Sequence, residues 1–103
     1  MDNAEYEQFL NRTLNMLENI VNFIEKQGKH IVAYHKLLGV QQKLVTIPDK
    51  EKKQSMVDIM ISIKFAISDL VDGRYGKALD KIKVVKTKMY RRYGEIKSKN
   101  ENH

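Results

Sequence analysis

The cationic side chains are the part of this sequence best placed to do chemistry, and they are not spread evenly. Ten of the 19 Lys and Arg residues fall in one stretch: Arg74, Lys77, Lys81, Lys83, Lys86, Lys88, Arg91, Arg92, Lys97 and Lys99. Only Asp80 and Glu95 oppose them, so this stretch carries +8 and the rest of the chain −2. On a helix, Lys77, Lys81 and Lys88 share a face with Arg91 nearby, while Lys86, Tyr90 and Arg92 extend the polar surface on another side. Roughly six basic groups along one helix can engage the phosphates of a duplex, with strong salt dependence. Tyr90 lies off the apolar stripe, where an aromatic ring can stack on a base or sugar. The pattern predicts a partner-binding surface of Lys77, Lys81, Lys88, Tyr90, Arg91 and Arg92 for an acidic partner, either nucleic acid or an acidic protein surface. Lys dominates it, and Arg91-Arg92 is the one adjacent pair suited to base edges, so the expected contacts are to backbone, with little sequence specificity. Replacing both arginines with Glu should then weaken binding without unfolding the protein. A competing reading keeps the charge inside the fold. The first 26 residues hold five acids against Arg12 and Lys26, and an acidic first helix can pack beside a basic last one.

Catalytic constellations are poorly supported. The chain has no Cys, which excludes disulfides, thiolate metal sites and cysteine nucleophiles. His30 and His35 stand about 140° apart around a helix and cannot share a metal ion; His35 reads as a half-buried helix residue. Asp58 and Asp69 are nearly co-facial with Ser62 between them, but about 16 Å apart along the axis, too far for a paired acid and base. They read as a solvated polar face. Gly73-Arg74-Tyr75-Gly76-Lys77 lacks the spacing and preceding strand of a phosphate loop and reads as a turn. The expectation is a non-catalytic protein with no metal and no cofactor.

The elements that must position these groups are helical. At 103 residues and 12.1 kDa the chain suits one domain. Glu5 follows Asp2 by three residues, a capping-box spacing. Two rows, Phe9-Thr13-Met16-Ile20-Phe23 and Leu10-Leu14-Leu17-Val21-Ile24, make one wide apolar stripe that ends at Gly28. A second helix over residues 29–45 takes the stripe Ile31, Tyr34, His35, Leu38 and Leu44, with Gly39 as its weak point. Thr46-Ile47-Pro48-Asp49 predicts a boundary, with Pro48 in the first turn of a third helix over residues 48–71. There Met56, Ile59, Met60, Ile63, Ile67 and Leu70 face the core. A turn at residues 72–76 leads to a last helix whose stripe is Leu79, Ile82, Val85, Met89, Tyr93 and Ile96. Gly94 predicts fraying, and residues 98–103 read as a disordered polar tail after a domain of residues 1–97. Short connections make consecutive helices antiparallel neighbours, so the fold class is all-α, an antiparallel up-down bundle of four helices, or three if the second segment breaks at Gly39.

A strip of Val57, Ile61 and Phe65 steps by four residues off the main stripe of the third helix. It either packs against the second segment, the simpler expectation, or stays exposed as an apolar contact strip for a partner helix. The wide apolar circumference of this helix suits a homodimer interface as well as a monomer core. No apolar run reaches the ~20 residues of a membrane span, and the acidic start, Met1-Asp2-Asn3-Ala4-Glu5, does not read as a secretory leader, so a cytoplasmic location is expected. Fifteen Lys and ten Ile against four Arg and four Ala point to an AT-rich coding sequence, as in low-GC bacteria or their phages. Two function classes follow. One is an accessory or regulatory protein that engages nucleic acid through its last helix. The other is a bundle that acts on a protein partner. In size, positive charge and antiparallel four-helix form, the chain resembles the bacteriocin immunity proteins of low-GC Gram-positive bacteria, a resemblance that rests on those general properties and on no motif.

Overall fold

The computed structural model describes residues 1–102. Four helices, α1 (Asn3–Glu25), α2 (His30–Val45), α3 (Gln54–Val71) and α4 (Tyr75–Glu101), run alternately up and down, with a 3-10 turn at Asp49–Glu51 between α2 and α3. Each helix packs on the next and α4 closes on α1, giving an antiparallel four-helix bundle of 45 × 24 × 18 Å. The α3–α4 and α1–α4 seams are the most closely packed, and the α2–α3 seam is the most open.

α1 starts where the sequence places it. The Asp2 carboxylate accepts the Glu5 N–H at 2.8 Å, satisfying one of the free donors of the first turn. The row Leu10, Leu14, Leu17 and Ile24 is buried together with Tyr6 and Ile20, and Phe9, Met16 and Phe23 flank it at the seams. Gly28 then takes a φ of 62°, a left-handed residue that lets the chain reverse into α2.

α2 is rotated from its expected setting. Its buried residues are Ala33, Leu37, Val40 and Leu44, whereas Ile31 is 75% exposed and His35 is exposed rather than half-buried. Apolar residues surround most of the α2 circumference, so several stripes fit the 3.6 period equally well. Packing resolves the choice: small Ala33 and Val40 face the core, where they permit close approach to the other helices. Gly39 does not break the helix. His30 stacks on Tyr75 with ring centroids 3.6 Å apart, tying the start of α2 to the start of α4.

Pro48 does not open α3. It precedes the 3-10 turn, and Thr46 donates its hydroxyl back to the Lys43 carbonyl at 2.6 Å. α3 therefore begins at Gln54, and Met56, Ile59, Ile63, Ala66 and Leu70 enter the core. At its far end Asp69 is 4% exposed, which corrects the solvated face expected for it. Its carboxylate accepts from Arg74 Nε at 2.9 Å and from Lys81 Nζ, and its carbonyl accepts the Arg74 N–H at 2.7 Å. With Gly73 at a φ of 76°, these bonds fix the α3–α4 turn.

The Lys81 ammonium, and after it Arg74, holds the Asp69 carboxyl below the ordinary carboxylate range, against the opposing effect of burial. A depressed folded-state value means stability that is fully present above the unfolded carboxylate range and is lost as pH falls through the folded value. Urea unfolding measured from neutral pH into the acid range should therefore show falling stability, and Asp69→Asn should flatten that slope. An unchanged slope in this variant would remove Asp69 as a contributor.

α4 buries Ala78, Ile82, Val85, Met89 and Ile96 and continues without fraying past Gly94 and Ser98. The expected boundary at residue 97 therefore falls inside a helix. Asn100 donates to the Asn3 carbonyl at 3.2 Å and to Glu7 Oε1 at 2.9 Å, fastening this last turn to α1. His103, the end of the expected tail, lies outside the described residues.

Candidate interaction surfaces

Because α4 packs between α1 and α3, its cations meet acids from both. Lys83 bonds Glu25 at 2.6 Å and Lys86 bonds Glu18 at 2.6 Å, with the Tyr90 hydroxyl donating to the same Glu18 carboxylate at 3.4 Å. These contacts hold the Glu18 and Glu25 carboxyls below their ordinary range, chiefly through the hydrogen bonds from Lys86 and Lys83 respectively. Lys81 is taken by Asp69, and Arg74 by Asp69 and Asp72.

Arg92 departs furthest from its expected role. It is 9% exposed and occupies the core stripe beside Tyr93. Its two terminal nitrogens reach Glu51 at 3.1 Å and Glu95 at 3.0 Å, and its guanidinium lies 5.9 Å from the centroid of the buried Tyr6 ring. It is a structural cation that joins α4 to the 3-10 turn and α1, not a free arm. Of the six residues expected to face a partner, Lys81, Tyr90 and Arg92 thus have partners inside the fold. Lys77, Lys88 and Arg91 have no acidic partner within 4 Å among the described residues, and neither do Lys97 and Lys99. Lys88 and Arg91 line a hollow of about 210 Å³ shared with Ser55, Asp58, Arg92 and Glu95. Its two carboxylates oppose a phosphate there.

The other surface lies at the open α2–α3 seam. A groove of about 440 Å³ has Leu44, Met60 and Ile63 as its floor, Val45, Val57 and Ile61 as its walls, and Gln41, Gln42, Lys52 and Lys64 as its polar rim. Leu44 and Ile63 are fully buried, while Val45 is 58% and Ile61 48% exposed. Phe65, one turn beyond Ile61, is 57% exposed. The strip Val57-Ile61-Phe65 is therefore not covered by the second segment: Val57 is half-buried and the other two face out. The α2 half of the groove, Gln41, Gln42 and Val45, was not singled out from the sequence, although the expected stripe Ile31-Tyr34-His35-Leu38 continues onto it by steps of three, four and seven residues. The spacing of Val45 from Leu38, one heptad back and equally apolar, was the available signal.

Among the described residues no three His, Asp or Glu side chains gather as a metal-binding group, and no helix is long and apolar enough to cross a membrane. The fold and the groove define a four-helix bundle with one open, apolar inter-helix seam. Comparisons with protein-family models, curated proteins and solved structures find no match to the chain.

Proposed function

We propose that this protein is a non-catalytic binding module that holds a protein partner at the α2–α3 groove. The observation that carries the reading is the groove itself. Val45 and Ile61 leave apolar surface in water at the seam where the four helices pack least closely, and Phe65 is exposed one turn beyond Ile61. Exposed apolar surface of this kind marks interaction sites. The resemblance to immunity proteins in size, charge and helix form fits a bundle acting on a protein partner, although a fold alone does not carry a function. Nucleic-acid binding along α4 is the second reading, and it rests on Lys77, Lys88, Arg91, Lys97 and Lys99, which have no acidic partner among the described residues.

Ile61→Asp tests the first reading. As a surface change it should alter stability by no more than about 0.5 kcal/mol. Immobilised wild type should retain a partner from a lysate that I61D releases and that a Lys88→Glu/Arg91→Glu variant keeps. Labelled duplex and single-stranded DNA titrated at low and moderate salt test the second. DNA binding that collapses with salt and with the Lys88/Arg91 variant, but survives I61D, would displace the groove as the working surface.

A further inference from the structure

We infer that the occupant of the α2–α3 groove is an amphipathic helix of a partner protein whose flanks beside the apolar seam are acidic. The inference rests on the groove reading and adds the chemistry of the partner to it.

Shape comes first. The groove is a trough between two antiparallel helices, with its apolar walls on opposite sides and a closed floor at Leu44 and Ile63. A third helix fits such a trough by laying a ridge of side chains at i, i+3, i+4 and i+7 into it. The lining runs from Gln41 to Val45 on α2 and from Val57 to Lys64 on α3, so the trough seats about two turns of a docked helix, roughly 12 Å. A bilayer surface is flat and would meet the rim before the floor, so a concave seam suits a helix better than a lipid face.

Charge then selects among helices. Among the described residues no acid lines the groove, and Lys52 and Lys64 both stand on its rim. The α2 wall is uncharged, with Gln41 and Gln42 at its rim, while Lys36 and Lys43 turn to Phe23 and Met16 of α1, so the charge of the groove is that of Lys52 and Lys64 alone. Lys64 has no acidic partner within 4 Å among the described residues, and the Asp49 carboxylate that meets Lys52 at 3.5 Å is itself fully exposed. Carboxylates on a docked helix would pair with both rim lysines; lysines there would be repelled. The same argument disfavours a second copy of this chain. Two such grooves face to face would bring Lys64 and Lys52 of each copy against those of the other, with like charges drawn out of water.

The test uses three labelled peptides of about 18 residues with the same Leu seam and with Glu, Gln or Lys at the flanking positions. They are titrated by fluorescence anisotropy into the full-length protein and mapped by amide chemical shifts. The Glu peptide should bind about tenfold tighter than the Gln peptide, the Lys peptide should bind weakest, and the shifts should fall on the C-terminal half of α2 and on α3. Ile61→Asp, with an unchanged urea midpoint, should abolish binding, and Lys64→Glu should reverse the order of the Glu and Lys peptides. Equal affinity for all three peptides, still lost in I61D, overturns the acidic partner but leaves the groove. Binding of the Glu peptide that I61D does not affect, or shifts confined to α4, overturns the groove as well. Absence of binding by every peptide, a concentration-dependent dimer broken by I61D, or I61D-sensitive flotation with phosphatidylglycerol vesicles each overturn the inference, the last two in favour of a second copy and a lipid surface respectively.

Discussion

Arg92→Ala is expected to lower the unfolding free energy by about 3 kcal/mol. Two-state denaturation in urea would measure it, and for a chain of this length the Tm should fall by roughly 12 °C or more. The size follows from what is left behind. Glu51, at 15% side-chain exposure, keeps its carboxylate in the seam with its cation gone, and the guanidinium no longer covers the Tyr6 ring. Breaking one half of a buried ion pair costs far more than the pair contributes, because the remaining charge has lost both water and partner. Lys at this position should restore only part of the loss. One ammonium cannot reproduce two nitrogens directed separately at Glu51 and Glu95. A double-mutant cycle with Glu51→Ala isolates the coupling. A loss below about 0.5 kcal/mol would return Arg92 to the surface. The result also decides how any Arg91/Arg92 double charge reversal is read. Weaker partner binding in such a variant would report unfolding, so Lys88 and Arg91 are the positions where α4 can be tested as a surface.

Arg92 shows where a sequence reading stops. Helical periodicity assigns a residue to a face within about one position, and Tyr93, being aromatic, takes the core place in a hydropathy pattern. The burial of Arg92 depends on Glu51, 41 positions away on a 3-10 turn, and no local pattern encodes that meeting. Asp69 is the same case on a shorter loop. Its partners Arg74 and Lys81 are local, yet an acid near the end of an apolar helix reads as solvated unless the turn that folds α4 back over it is known. By contrast, the four helices, the Asp2 cap, the Gly28 reversal and the α1 stripe were legible, because each is set within a few residues. The complementarity of acidic α1 and basic α4 was legible as one of two readings, and Lys83–Glu25 and Lys86–Glu18 realise it. Half of the groove was legible as the Val57-Ile61-Phe65 strip. The other half was hidden because two of its three positions, Gln41 and Gln42, are polar, so the hydropathy pattern lapses where the expected α2 stripe reaches the groove.

Truncating three isoleucines of α3 should give a graded series that tests the groove from the stability side. Ile59, Ile61 and Ile63 share one residue type and one helix, so propensity terms cancel and burial decides. Ile59 is fully buried and takes no part in the groove, so Ile59→Ala should cost about 4 kcal/mol, transfer term and enclosed cavity together. Ile63 is equally buried but forms the groove floor. The space left by Ile63→Ala opens into the trough, where water or the flanking Met60 can fill it, so the cavity term shrinks and about 2 kcal/mol is expected. Ile61→Ala removes atoms that are already half in water and should cost no more than about 0.5 kcal/mol. The order Ile59, Ile63, Ile61, read from urea unfolding of the three variants at one protein concentration, is a statement about solution. If Ile61→Ala instead cost as much as Ile63→Ala, the seam would be closed in solution, and the wall that a partner helix is to meet would already be covered. A cost for Ile61→Ala that grows with protein concentration would identify the cover as a second copy, because only association makes stability depend on concentration.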